Sequence, residues 1–274
     1  MYKDLLAAVG PFSVLLYGDA GAGKTTLAVD AFWDFMKLEK RCEGLWIQLG
    51  RESNTALGVP VAMTKSFSST LSDPMKFLNS FNACIRGVAV ERLKGAGPEV
   101  VVVDGLTEFG ALYEYYKTPS ASDTFEVWRG LKDSFFGAMQ LLNPEFLKCV
   151  VICTASVDVK RRGTKTKSQE VIGADPDWQD SKFVPYMDGW ARRHMGRYFN
   201  LVAYMDADYR QVKGADGKLE KKECHDVWFQ GHGDYLIKNQ WEHRWEGLPP
   251  KLTNARFEEV LGLIAKAKGS AAGA

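Results

Sequence analysis

Gly18-Asp19-Ala20-Gly21-Ala22-Gly23-Lys24-Thr25 fits the pattern G-x-x-x-x-G-K-[ST] at every fixed position. Glycines at this spacing let a backbone wrap its N–H groups around a chain of phosphates, and the start of a helix just behind them adds positive potential. In such a loop Lys24 is expected to reach the β and γ phosphates and the Thr25 hydroxyl to ligate Mg²⁺, with Thr26 the next residue of the same turn. ATP and Mg²⁺ are therefore the expected ligands. A phosphate site of this kind needs a carboxylate to hold the metal or its waters. The four valines Val100 to Val103 end in Asp104, which places one at the C-terminal edge of a buried strand. Gly105 follows, where many such ATPases carry a glutamate, so the carboxylate that positions the attacking water has to come from elsewhere. Glu52, just beyond the strand ending at Leu49, and Glu108, four residues past Asp104, are the two candidates.

A second cluster is cationic. Lys160, Arg161, Arg162, Lys165 and Lys167 put five positive charges into eight residues, and from 160 to 200 nine Lys and Arg face five Asp and Glu, a local net of +4. With Trp178, Phe183 and Tyr186 downstream, the stretch suits single-stranded DNA, whose phosphates meet cations and whose bases meet aromatic faces. His194, His225, His232 and His243 show no metal-ligand spacing and read as structural or surface residues.

These residues need elements to hold them. Short β-rich runs alternate with longer helical patterns, the signature of a mainly parallel sheet with helices on its faces. The expected strands are Ser13 to Tyr17, Gly44 to Leu49, Val100 to Val103 and Cys149 to Cys153. A helix should run from the glycine-rich loop through Met36. Another should open at Asp73-Pro74, carry Phe77, Leu78, Phe81, Ile85 and Val88 on one stripe, and end near Gly95. Trp128, Leu131, Phe135, Met139 and Leu142 mark a further helix that stops at Asn143-Pro144. Residues 157–190 are polar and aperiodic, so a long, mobile surface loop is expected there. Beyond it, Tyr198 to Met205, Val227 to Gln230 and Tyr235 to Ile237 read as short strands forming an antiparallel end to the sheet, with Gly214 to Gly217 as a turn between the first two. Phe257 to Ala267 reads as the last helix, and 269–274 as a disordered tail.

At 274 residues the chain is long enough for one large domain, expected over 1–268, and short for two. With 46% hydrophobic and 25% charged residues it has ordinary globular usage, and a net charge of +1 excludes a globally basic mode of nucleic-acid binding but not a local patch. No apolar run approaches the length of a membrane span and the N-terminus has no signal-peptide character, so no membrane partner and a cytoplasmic location are expected. Five cysteines without C-x-x-C spacing suggest reduced, buried thiols and no zinc.

Taken together, the loop at 18–25, Glu52 followed by Leu57-Gly58-Val59, the valine run ending in Asp104 and the strand ending in Thr154-Ala155-Ser156 resemble the RecA-like P-loop ATPase core. More narrowly they resemble the core-only, phage-encoded type associated with single-strand annealing and recombination. The resemblance spans about residues 10 to 250 and is sharpest in the first half. It implies that Glu52 is the catalytic glutamate and that Thr154 or Ser156 senses the γ-phosphate. It also implies that Lys238, or else Arg244, reaches the nucleotide of a neighbouring subunit in a ring or filament, and that the loop after the sensor strand lies near DNA. The implied activity is Mg²⁺-dependent ATP hydrolysis on single-stranded DNA, in phage recombination, annealing or replication. Two other readings of the same motifs stay open: a nucleotide-switched assembly or packaging ATPase without direct DNA binding, and a small-molecule phosphotransferase whose basic segment is a closing lid.

Overall fold

The structure is a computed structural model, and it describes residues 9–38, 44–49, 59–60, 63–67, 73–108, 133, 136–159, 164–165, 171–172, 183–185, 197–213, 219–231 and 235–269. Its strands are β1 (Ser13–Gly18), β2 (Gly44–Gln48), β3 (Thr64–Ser66), β4 (Val100–Asp104), β5 (Val150–Val159), β6 (Thr164–Lys165), β7 (Val171–Ile172), β8 (Phe183–Pro185), β9 (Leu201–Lys213), β10 (Leu219–Trp228), β11 (Lys238–Asn239) and β12 (Lys251–Thr253). Among the described residues the three long helices are α1 (Lys24–Leu38), α2 (Pro74–Leu93) and α3 (Phe257–Gly269).

Among the described residues one ten-stranded sheet runs in the order β12-β10-β9-β1-β5-β4-β2-β3, with β11 paired to β9 and β8 to β5. The run from β9 to β3 is parallel throughout. Parallel sheets need cover on both faces, and the valine and leucine runs provide for it because successive side chains point to opposite sides. Val14, Leu16, Val100 and Val102 pack on one side with Ala28 and Phe32 of α1 and Val260 and Ile264 of α3. Leu15, Tyr17, Val101 and Val103 pack on the other with Phe77, Phe81 and Ile85 of α2 and with Met139 and Leu142. Each fully buried phenylalanine of α2 contributes about 1.5–3 kcal/mol of hydrophobic stabilisation. The chain is thus a mixed α/β protein with a mostly parallel, helix-flanked sheet.

Helix α2 begins as the sequence predicts: the Asp73 carboxylate accepts from the Lys76 amide at 3.1 Å and Pro74 occupies the first turn. Residues 136–141 are helical, and Asn143 caps a further turn, Pro144–Leu147, so that Asn-Pro restarts a helix as well as ending one. The expectations for 128–135 fall largely outside the described residues.

The antiparallel end is longer than expected and begins one strand later. β9 is parallel to β1, and β10 and the short β11 reverse, β10 pairing with β9 over ten residues from Lys213–Leu219 to Tyr204–Trp228. The polar, charged outer half of this hairpin hides it from a search for apolar runs. The segment expected to be irregular from 157 onward also carries strand: β5 continues to Val159 and pairs antiparallel with Phe183–Pro185, while β6 pairs with β7. β-branched pairs, Val157 and Val159, Val171 and Ile172, sit at these points. No helix among the described residues is long and apolar enough to cross a membrane.

Candidate functional site

The site forms where parallel strands end together. β5 lies between β1 and β4, with Leu16 opposite Thr154 and Gly18 opposite Ser156. The glycine-rich loop leaving β1, Asp104 ending β4 and the Thr154-Ala155-Ser156 stretch of β5 therefore meet at one edge, the edge at which open α/β sheets bind ligands. They line a cleft of about 410 Å³ together with Gln48, Thr107, Glu108 and His225.

The loop is shaped by its glycines. Gly21 and Gly23 have φ of +81° and +86°, values a side chain would strain. Gly18 is required for another reason, since a Cβ there would lie 2.0 Å from the Met205 carbonyl oxygen of β9. Lys24, the first residue of α1, folds back so that Nζ donates to the carbonyls of Gly18 at 2.9 Å and Asp19 at 2.7 Å, holding its charge above the loop.

Two segments 79 residues apart meet at the next residue: the Thr25 hydroxyl donates to Asp104 Oδ1 at 3.1 Å. Thr154 completes the arrangement. Its hydroxyl donates to the same Oδ1 at 2.5 Å and accepts from the Gly105 amide at 2.9 Å, buried at 3% exposure. Asp104 is thus aimed by hydroxyls from β5 and α1. Thr25 Oγ1 and Asp104 Oδ1 are hard oxygen donors, a chemistry that fits a magnesium ion completed by phosphate oxygens and water. No group of three or more His, Cys, Asp or Glu side chains able to hold a metal by itself occurs among the described residues.

Gly105 explains why no carboxylate directly follows Asp104. Its φ is +92°, and a Cβ would stand 2.7 Å from the Leu49 carbonyl oxygen, so a glutamate cannot occupy the position. The backbone instead turns through Leu106, whose amide donates to the Thr154 carbonyl at 2.8 Å, and the Glu108 amide closes the turn on the Gly105 carbonyl at 2.9 Å. Thr107 then accepts from the Ser156 amide at 2.8 Å, tying this turn to β5. Glu108 is brought to the cleft by that turn. Of the two hydroxyls offered as phosphate sensors, Thr154 is spent on Asp104 and Gly105, and Ser156 is exposed in the cleft lining.

Other sequence candidates lie elsewhere. Glu52, Lys160, Arg161, Arg162 and Lys167 fall outside the described residues, and Lys165 is described only as backbone of β6. Lys238 pairs through β11 with Val202, level with Leu15 and away from the glycine-rich loop. Its Nζ donates to the Phe199 carbonyl at 3.1 Å, and burial pushes its pKa down. Arg244 is exposed on the turn of 3-10 helix Glu242–Arg244 that follows β11. The structure does not bring either residue to the cleft.

Thr107 and His225 line the cleft without having been singled out for it. Thr107 carries no sequence signal, because its role depends on the pairing of β4 with β5. His225 lacks one because it reaches the loop across two strand pairings, β10 to β9 and β9 to β1. No known protein-family model matches the chain, and no curated protein matches its sequence.

Proposed function

We propose that this protein is a Mg²⁺-dependent ATPase built on a RecA-like core, of the phage-encoded type, acting on single-stranded DNA in recombination, annealing or replication. One observation carries the nucleotide half of the reading: the lysine-threonine loop ending β1 and the carboxylate ending β4 are in direct contact through Thr25 and Asp104. Bound Mg²⁺ supplies charge neutralisation at the β and γ phosphates. The chain's own residues then divide the work. The loop amides and Lys24 grip the phosphates, which means that Lys24 exchanges its two loop carbonyls for phosphate oxygens. Asp104, aimed by Thr154, orders the metal shell, and a glutamate, Glu52 by resemblance or Glu108 by its place in the cleft lining, orients water for in-line attack.

The DNA half rests on the charge of Lys160, Arg161, Arg162, Lys165 and Lys167, in the segment that follows β5 out of the site. If about three to five cations each neutralise a phosphate, log K against log salt has a slope of roughly −2 to −3.5 on single strands. Replacing Lys160, Arg161 and Arg162 with Ala then flattens it by roughly 2 while basal hydrolysis survives. Assembly as a ring or filament, with Lys238 or Arg244 acting on a neighbour's nucleotide, is the remaining part of the reading. Mixing a Lys238 or Arg244 variant with a Lys24 variant partly restores turnover if it holds.

Turnover assays decide among the readings. Hydrolysis stimulated by single-stranded DNA is the expected result. Hydrolysis indifferent to DNA, with an unchanged salt slope in the triple variant, favours an assembly ATPase, and turnover only with a phosphoryl acceptor favours a phosphotransferase.

A further inference from the structure

A second cleft of about 310 Å³ opens beside the first, between α1 and the β9–β10 pair, and the two share Gly23, Thr26 and His225 in their walls. Its floor is apolar, from Leu27, Met205 and Val227, and its rim is polar, from Thr26, Asp30, Asn254 and Arg256. An apolar slot with a few fixed polar groups is how proteins hold a flat heterocycle with hydroxyls attached.

Several contacts hold this cleft in shape. Asn254 sits at φ +51°, accepts from the His225 amide through Oδ1 at 2.9 Å, and donates its own amide to the His225 carbonyl at 2.6 Å. On the helix side, Asp30 accepts from the Phe257 amide at 2.9 Å and stands 3.5 Å from the Arg256 guanidinium. His225 stands at the junction of the clefts. Its Nδ1 is buried against the loop, 3.3 Å from where a Cβ of Gly23 would lie, and has no hydrogen-bond partner among the described residues. A buried polar atom without a partner calls for an explanation, and a ligand that binds there is one.

We infer that this second cleft seats the nucleoside half of a nucleoside triphosphate whose phosphates lie in the Gly18–Thr25 loop, with His225 as the residue that couples the two halves. The inference rests on the nucleotide reading above and adds the direction of the ligand. At the Asp104 end the first cleft is backed by the buried Asp104–Thr154 pair. A phosphate chain with its terminal group there leaves past Thr26, and the space it enters is the second cleft. The ring then lies on Leu27, Met205 and Val227, and the sugar hydroxyls face the polar rim.

Calorimetric titration of ATP and of inorganic tripolyphosphate, each with Mg²⁺, tests this on the wild type and two variants. Ala255→Trp fills the cleft from a residue that lines the second cleft and not the first, and His225→Ala removes the junction residue. Tripolyphosphate should bind both variants as it binds the wild type. ATP should bind about three- to tenfold more weakly to His225→Ala, the size of one lost hydrogen bond, and about tenfold or more weakly to Ala255→Trp, from overfilling. ATP affinity unchanged in both variants overturns the inference and leaves the phosphate site standing. Equal loss of ATP and tripolyphosphate in His225→Ala, with ATP unaffected in a folded Ala255→Trp, also overturns it, since His225 would then act on the loop alone. A wild type that binds neither ligand removes the nucleotide reading itself.

Discussion

Asp104 and Asp226 are both nearly sealed from solvent, at 5% and 1% exposure, but their surroundings differ. Asp104 accepts from the hydroxyls of Thr25 and Thr154. Asp226, on β10, accepts from the Arg210 guanidinium through both oxygens, from Lys251 at 2.5 Å and from Thr253 at 2.6 Å. Hydroxyls can rotate and surrender a carboxylate to a metal shell. Two cations and a hydroxyl neutralise it in place and join β9, β10 and β12 into one edge. On the proposed function, one carboxylate is prepared for a ligand and the other is used as a fastener, although both end up at the same depth.

Exchanging each carboxylate for its amide tests that difference most sharply. Asp104→Asn should lower kcat by about a hundredfold or more, because on the proposed function it is the group that organises transition-state charge. Its unfolding free energy should change by no more than about 1 kcal/mol, since the amide can still accept from both hydroxyls. Asp226→Asn should do the reverse, leaving turnover near wild type and lowering the urea midpoint, because Arg210 and Lys251 lose the charge that neutralised them. Equal effects of the two substitutions on turnover would erase the distinction.

Acid unfolding sharpens it further. Burial works to raise the Asp226 carboxyl, but the bonds from Arg210, Lys251 and Thr253 outweigh it and hold the group well below the usual carboxylate range. Its contribution to stability is therefore complete above the unfolded value of about 3.9, and is lost as the pH falls through that range toward the folded value. Asp226→Asn should flatten the acid limb of the stability curve between about pH 5 and pH 2, a window set by the same linkage. An acid limb identical to wild type would show that the cluster contributes nothing.

Much of the first region was legible because chemistry and fold share the same short motifs there. The glycine-rich loop, the valine run into Asp104 and the Asp73-Pro74 cap are local patterns, and the structure places them as local rules require. The second region was not legible for a physical reason. Asp226, Arg210, Lys251 and Thr253 come from three strands, and nothing local marks them as partners. Strand β10 begins Leu-Glu-Lys-Lys-Glu, five exposed residues whose pairing is set by β9 and not by burial. Glu108 illustrates an intermediate case: the sequence offered it, and only the Gly105 turn shows how it comes to the cleft.

Two smaller effects follow. Thr154→Val removes the donor to Asp104 and the acceptor for the Gly105 amide, and should reduce stability by about 1–3 kcal/mol as well as slow turnover. Thr154→Ser should restore most of both, which separates the hydroxyl from the methyl group. The smallest effect concerns Lys251, whose Nζ also lies 4.4 Å from the Trp228 ring centroid. Lys251→Met keeps the stem over the ring but removes one of the two cations at Asp226, and should reduce stability by less than Asp226→Asn does, because Arg210 and Thr253 still hold the carboxylate.

Gly18 carries a lesson for how such sequences are compared. Its hydrogen faces the Met205 carbonyl so closely that a methyl group there would displace β9 from β1, whatever the loop binds. The first glycine of the motif is thus demanded by the strand pairing itself, and that demand has nothing to do with phosphate. On the proposed function, a descendant of this chain that had abandoned nucleotides would be free to lose Lys24 and Thr25, yet would still keep Gly18. Survival of that glycine in a divergent copy therefore reports an intact strand pairing, and the lysine two glycines later is the letter that reports a working site.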